Sequence, residues 1–141
     1  MNSPVLKWNA EEEDFYLMCL VGPDAPSRDD PNLKNFLHWM VGNIPGSNLD
    51  MGETLAEYVG AVPPKDTGLH RHVFLLYKQP NKLDFQEEMR ITLSEFDPRT
   101  NFSVHNFVEK YYLGNPISGN MFQAQYDDYV PVLQNQLNIA M

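Results

Sequence analysis

Val21-Gly22-Pro23-Asp24-Ala25-Pro26-Ser27-Arg28, followed by Phe36-Leu37-His38-Trp39-Met40-Val41 and Asn43-Ile44-Pro45-Gly46, is the stretch on which the reading of this chain turns. Prolines on both sides of Asp24 hold φ at about −65° and remove two backbone donors, so this part is rigid loop rather than helix or central strand. A stiff loop keeps a carboxylate in one place, and the apolar run after it contains a single histidine, His38. That combination suits the rim of a pocket better than a linker.

Eleven prolines and eight glycines are spread over the 141 residues and leave few windows for long helices. The apolar segments 15–21, 36–44, 70–78 and 121–126 are short, bounded by turn residues, and rich in aromatic and β-branched side chains. Such runs read as strands. Phe15–Val21 and Val73–Tyr77 are nearly continuous in apolar character, so both are expected to be buried on two faces. Ser103 is placed to cap a helix carrying Val104, Phe107, Val108, Tyr111 and Tyr112, with Gly114 to end it. Asp127 is placed to cap another, with Pro131 in its first turn and Leu133 and Leu137 on one face, and with Asp127 and Asp128 complementing its dipole. Residues 80–102 are polar and irregular and read as a long surface excursion. The expected fold is mostly β, a single domain over residues 1–141.

Hydrophobic residues at 43% and aromatics at 12% exclude disorder as the default. A formal charge of −9 argues against nucleic acid and anionic membrane surfaces, which call for clustered Lys and Arg. The one cysteine, Cys19, sits in an apolar run and has no second cysteine to pair with, which favours a buried, inert thiol in a reducing compartment. Glu11-Glu12-Glu13-Asp14 interrupts anything resembling a signal peptide, and no apolar run approaches the roughly 18 residues of a membrane span. A cytoplasmic location is expected.

Of four histidines, His105 falls in the predicted helix and reads as solvated surface. His70 and His72 follow the stiff Pro63-Pro64-Lys65-Asp66-Thr67-Gly68-Leu69 segment and open a strand, where a spacing of two puts both on one face. With His38 and Asp24 they could meet at one end of a sheet. Two chemistries suit such a cluster. A metal ion would use the imidazoles and carboxylate as ligands, but no further acidic motif reinforces that reading. An anion such as phosphate would use imidazole N–H groups, strengthened in mild acid as the rings charge near pH 6.5. Catalysis finds little support: Ser118 lacks a nucleophile-elbow frame, Cys19 lies inside a strand, and no phosphate-binding glycine loop occurs.

The order of Pro-Asp-Ala-Pro-Ser-Arg (23–28), His38, Asn-Ile-Pro-Gly (43–46), Glu57-Tyr58-Val59-Gly60, Pro63-Pro64, Gly68-Leu69-His70-Arg71 and Tyr126-Asp127-Asp128-Tyr129-Val130-Pro131 resembles the phosphatidylethanolamine-binding protein family, in its animal, Raf kinase inhibitor protein-like branch. The resemblance covers residues 5–138. It implies a large central antiparallel sheet packed on a smaller sheet, with short helices near the C-terminus. It also implies a non-enzymatic binding and regulatory role, without metal or cofactor, directed at a phospholipid head group or small phosphate-type anion. A protein kinase or serine protease is the implied protein partner. Carried over residue by residue, the pocket comprises Asp24, Ala25, Pro26, His38, Pro63, Pro64, Gly68 and His70. His72, on the same strand face as His70, joins this ligand-binding set. Arg28 is expected to brace the rim.

Departures from the family pattern bear on ligand choice. Gly22 stands where the family has a first loop acid, His72 where it has tyrosine, Gln134 where a helix tyrosine closes the pocket, and Leu37 before the pocket histidine. Ser94-Glu95-Phe96-Asp97-Pro98-Arg99 replaces a loop tied to kinase regulation. The chain also begins close to the segment matching Pro4–Trp8, so the family's N-terminal strands are expected to be missing, favouring a monomer that associates weakly into dimers through open sheet edges. The alternative function is a protein-interaction module or inhibitor whose pocket is vestigial.

Overall fold

A computed structural model describes residues 8–23, 35–60 and 70–124, with the side chains of 8–23, 35–60 and 71–119. Five strands, β1 (Phe15–Gly22), β2 (Phe36–Pro45), β3 (Glu53–Ala56), β4 (His70–Lys78) and β5 (Ser118–Ala124), form one sheet in the order β3-β2-β1-β4-β5. All four strand pairings are antiparallel. The fold is mostly β, as expected. Among the described residues there is this one sheet and one α-helix, α1 (Val104–Lys110); the helix expected from Asp127 lies outside them.

β1 is central, and its unbroken apolar run has a direct structural cause. Leu17, Cys19 and Val21 face one cluster with Leu37, Met40, Leu55 and Tyr77, while Tyr16, Met18 and Leu20 face another with Trp39, Val41, Ile44 and Leu76. Both faces are therefore dry, and alternation disappears from the sequence. The two-face expectation holds for β1 and only in part for β4, where Val73, Phe74 and Leu75 are half-buried. Cys19 is buried, and burial pushes its thiol up to about 12, so it stays protonated and unreactive.

The reading of residues 80–102 as a surface excursion is corrected. Phe85, Ile91 and Arg99 are buried, and Phe85 and Ile91 join Phe107 and Leu113 in covering the first face of the sheet. A backbone ladder fixes Ile91 there: its N–H donates to Leu55 O, and Glu57 N–H donates to Ile91 O. Glycine at position 42 allows this cover to sit close, because a Cβ there would stand 2.6 Å from the Phe85 ring. Gly42→Ala is expected to cost about 1–3 kcal/mol through overpacking, read as a lower urea midpoint at unchanged slope. An unchanged midpoint would show that Phe85 can swing aside.

α1 starts as its punctuation predicts but ends at Lys110, so Tyr111 and Tyr112 fall outside it, and Tyr112, with φ 56°, takes the left-handed position after the cap ahead of Gly114. The Ser103 hydroxyl accepts from Asn106 N–H at 3.1 Å, Phe107 faces the core, and Gly114 adopts a positive φ of 69° beyond the C-terminus. His105 is exposed as expected, and is paired with Glu109 one turn on at 3.2 Å.

Candidate functional site at the Gly22, His38 and His72 corner

Three strand ends meet at one corner of the sheet. β1 ends at Gly22, which pairs with Phe36 at the start of β2, while Val21 pairs with Val73 near the start of β4. His38 and His72 are thereby brought together from strands that are not themselves neighbours. Their rings are edge-on with centroids 4.9 Å apart, and each residue is 3% exposed. Phe36 lies on the other side of His38 at 4.8 Å and touches Phe96 at 5.3 Å, so an aromatic row runs from the covering segment to β4.

A β-bulge aims His38. Leu20 faces Trp39 and Val21 faces Leu37, which leaves His38 as the additional residue of β2. Two partners hold that irregular backbone. Val59 N–H donates to His38 O at 2.9 Å, and the His38 ring returns a bond from Nδ1 to Val59 O at 3.2 Å. A carbonyl only accepts, so Nδ1 carries the proton and Nε2 of the neutral ring is bare. Nε2 faces Gly22: a Cβ on that residue would stand 3.1 Å from it and 3.8 Å from the Arg71 carbonyl oxygen.

Arg99 supports the bulge from behind, a role that sequence reasoning missed. It is fully buried, and its Nε, Nη1 and Nη2 donate to the carbonyls of Glu95, Leu37, His38, Glu57 and Thr92 at 2.8–3.1 Å. One guanidinium thus ties the covering segment to β2 and to the strand-like stretch after β3. Burial lowers its pKa to about 10, offset in part by the nearby charges of Glu57 and Glu95. The sequence signal that could have found it is the set of apolar residues, Phe85, Ile91 and Phe96, spaced through an otherwise polar stretch.

The His38 ring is held well below the usual histidine pKa, first by burial and then by His72, with Arg99 adding to the effect. The carbonyls of Val59 and Gly60 pull the other way without reversing it. The expectation of rings that charge near pH 6.5 and strengthen anion binding in mild acid is therefore corrected for His38. His70 lies in β4 opposite Ala124, two residues before His72. Asp24, Ala25, Pro26, Arg28, Pro63, Pro64 and Gly68 lie outside the described residues, as do Asp127, Asp128 and Gln134.

The family model described as "Phosphatidylethanolamine-binding protein" matches residues 1–123. The chain belongs to this family. It is 45% identical over 134 residues to "Putative odorant-binding protein A5" of Drosophila melanogaster, covering 95% of this chain and 63% of that one. Its span is thus under two thirds of that relative's length. A solved structure titled "CG7054 solution structure" matches at a TM-score of 0.78 and 44% identity, covering 96% of this chain and 77% of that one. Carboxypeptidase Y inhibitor, solved with its cognate proteinase, matches at a TM-score of 0.66 and 27% identity, covering 83% of this chain and 62% of that one. No helix among the described residues is long and apolar enough to cross a membrane.

Proposed function

We propose that the chain is a non-enzymatic binding protein that takes phosphate-bearing head groups at the Gly22, His38 and His72 corner. The observation that carries this reading is the edge-on pairing of two buried imidazoles from separate strands, one of which, His38, turns its Nε2 toward Gly22. A wholly structural pair of histidines would need neither the bulge at His38 nor the close approach of its Nε2 to a glycine. The loops carrying Asp24 to Pro26 and Pro63 to Gly68 complete the site in this reading, within a single domain over residues 1–141, and a cytoplasmic setting agrees with the lone buried thiol.

The test is an NMR titration with phosphoethanolamine between pH 5.5 and 7.5, following the His38 and His72 ring signals. Both sets should move with saturating amplitude. Absence of any ring perturbation at millimolar ligand would refute the reading. Gly22→Asp should then change the relative affinities for phosphate and phosphoethanolamine, since one added charge a few ångströms away is worth roughly 1–4 kcal/mol before desolvation.

The match to carboxypeptidase Y inhibitor favours a second reading, a protease inhibitor whose ligand site is vestigial. Inhibition of a carboxypeptidase that is equally strong in wild type and in His38→Asn would support it.

A further inference from the structure

We propose that residues 79–117 form a detachable cover: a single excursion between β4 and β5 that opens as a unit and bares the first face of the sheet while all five strands stay paired. Opening of this cover is independent of what the His38 corner binds.

Topology makes this possible. β4 and β5 pair directly, with Leu76 opposite Ser118 where the excursion leaves and returns, and Ile117 N–H donates to Leu76 O at 2.8 Å across its neck. The excursion contributes no strand to the β3-β2-β1-β4-β5 order, so no strand pairing has to break when it lifts. Among the described residues its one bridge to the sheet joins Ile91 to Ala56 at the β3 edge. It supplies Phe85, Ile91, Phe102, Phe107 and Leu113 to the first cluster, whereas the second cluster is packed by Trp8, Ala10, Leu49 and Tyr58 from elsewhere in the chain. The cover is also tied to itself. Phe85 stacks on Phe107 at 6.2 Å and meets Tyr111 edge-on at 4.9 Å, and Glu88 accepts from Lys110 at 2.6 Å and from the Tyr111 hydroxyl. A contiguous segment that is bonded internally and shares no strand with the rest has the makings of a cooperative sub-global unit. Its attachments to the sheet are the Leu83 N–H bond to Asn43 at 2.8 Å, the Ile91 ladder and the Arg99 fork. The bulge that aims His38 therefore loses the Arg99 support on its Leu37 and His38 carbonyls whenever the cover opens.

Cys19 is a built-in probe of this motion, because it belongs to the first cluster and is buried and protonated while the cover is shut. Labelling of the full chain with dithiobis(nitrobenzoic acid), in urea concentrations below the unfolding midpoint, reads its openings. The comparison is Met18→Cys with Cys19→Ala, which moves the thiol to the second face. Cys19 should label at least about tenfold faster than the second-face thiol in the absence of urea. Its urea dependence should be under roughly half the slope of global unfolding, since less surface is exposed. Ile44→Val, a change confined to the second cluster, should speed the second-face thiol by roughly two- to tenfold and leave Cys19 unchanged. Native-state amide exchange of the wild-type chain gives a readout that needs no variant and decides the matter if the double variant does not fold. The amides of Glu57, Ile91 and Leu113, bonded to Ile91, Leu55 and Val108 carbonyls, should share one opening free energy below that of the β1–β4 ladder. Cys19 labelling that follows the full unfolding slope in step with the second-face thiol would overturn the proposal. So would exchange of those three amides together with the β1–β4 ladder.

Discussion

Arg99→Met should lower stability by roughly 3–5 kcal/mol, because it removes the donors from five buried or half-buried carbonyls at once. The carbonyls belong to Leu37, His38, Glu57, Thr92 and Glu95, so the loss falls on the β2 bulge, the stretch after β3 and the covering segment together. Methionine has a comparable apolar stem and fills much of the volume, which isolates the hydrogen bonds from cavity formation. Arg99→Lys should fall between, since an ammonium has three donors on one point rather than a planar fork. Lys78→Met is the surface control: Lys78 is exposed and pairs with Asp14 at 3.1 Å, and its loss should leave stability close to that of wild type. Urea unfolding checks all three, with stability read from the midpoint where the slope is unchanged. An Arg99→Met midpoint within error of wild type would mean that water replaces the guanidinium. The His38 ring signals should also shift in both Arg99 variants, since the carbonyl beneath that ring loses a donor.

Mild acid should destabilise the protein through His38. In the folded state the ring is neutral and held well below its ordinary value of 6.5, whereas the unfolded chain protonates it near that value. Below pH 6.5 the unfolded state binds more protons, so the stability contributed by the neutral ring is complete above that pH. It is lost progressively as pH falls toward the depressed folded value. The slope for one such group is at most about 1.4 kcal/mol per pH unit. The interval just below pH 6.5 lies above the range in which Glu88 and Glu95 titrate, because their ion pair and hydrogen bonds lower both carboxyls. His38→Asn should flatten the profile in this window while leaving the carboxylate limb at lower pH in place. Parallel wild-type and His38→Asn profiles would show that the folded ring does accept a proton.

Legibility in the sequence followed the range of the interaction. The strands 15–22, 36–45 and 70–78 were visible because each is an apolar run cut off by Gly, Pro or charge, and α1 because Ser103 and Gly114 punctuate it. β3 was missed: at four residues, with only Leu55 and Ala56 buried, it offers no period to count. Family motifs marked His38, His70 and the two loops, but not Arg99, whose neighbours Glu95, Asp97 and Pro98 give it the look of a solvated turn.

The chain by itself thus determined a mostly β fold and a buried lone thiol. These follow from local composition and from contacts a few residues apart. Only the tertiary structure decided that His38 sits in a bulge, that its lone pair faces Gly22, and that Arg99 holds the bulge from 61–62 positions away in sequence. A bulge is a mismatch between two strands, and a bare nitrogen is defined by what its ring partner touches. Neither property exists until β1, β2 and β4 are paired and the covering segment is laid across them.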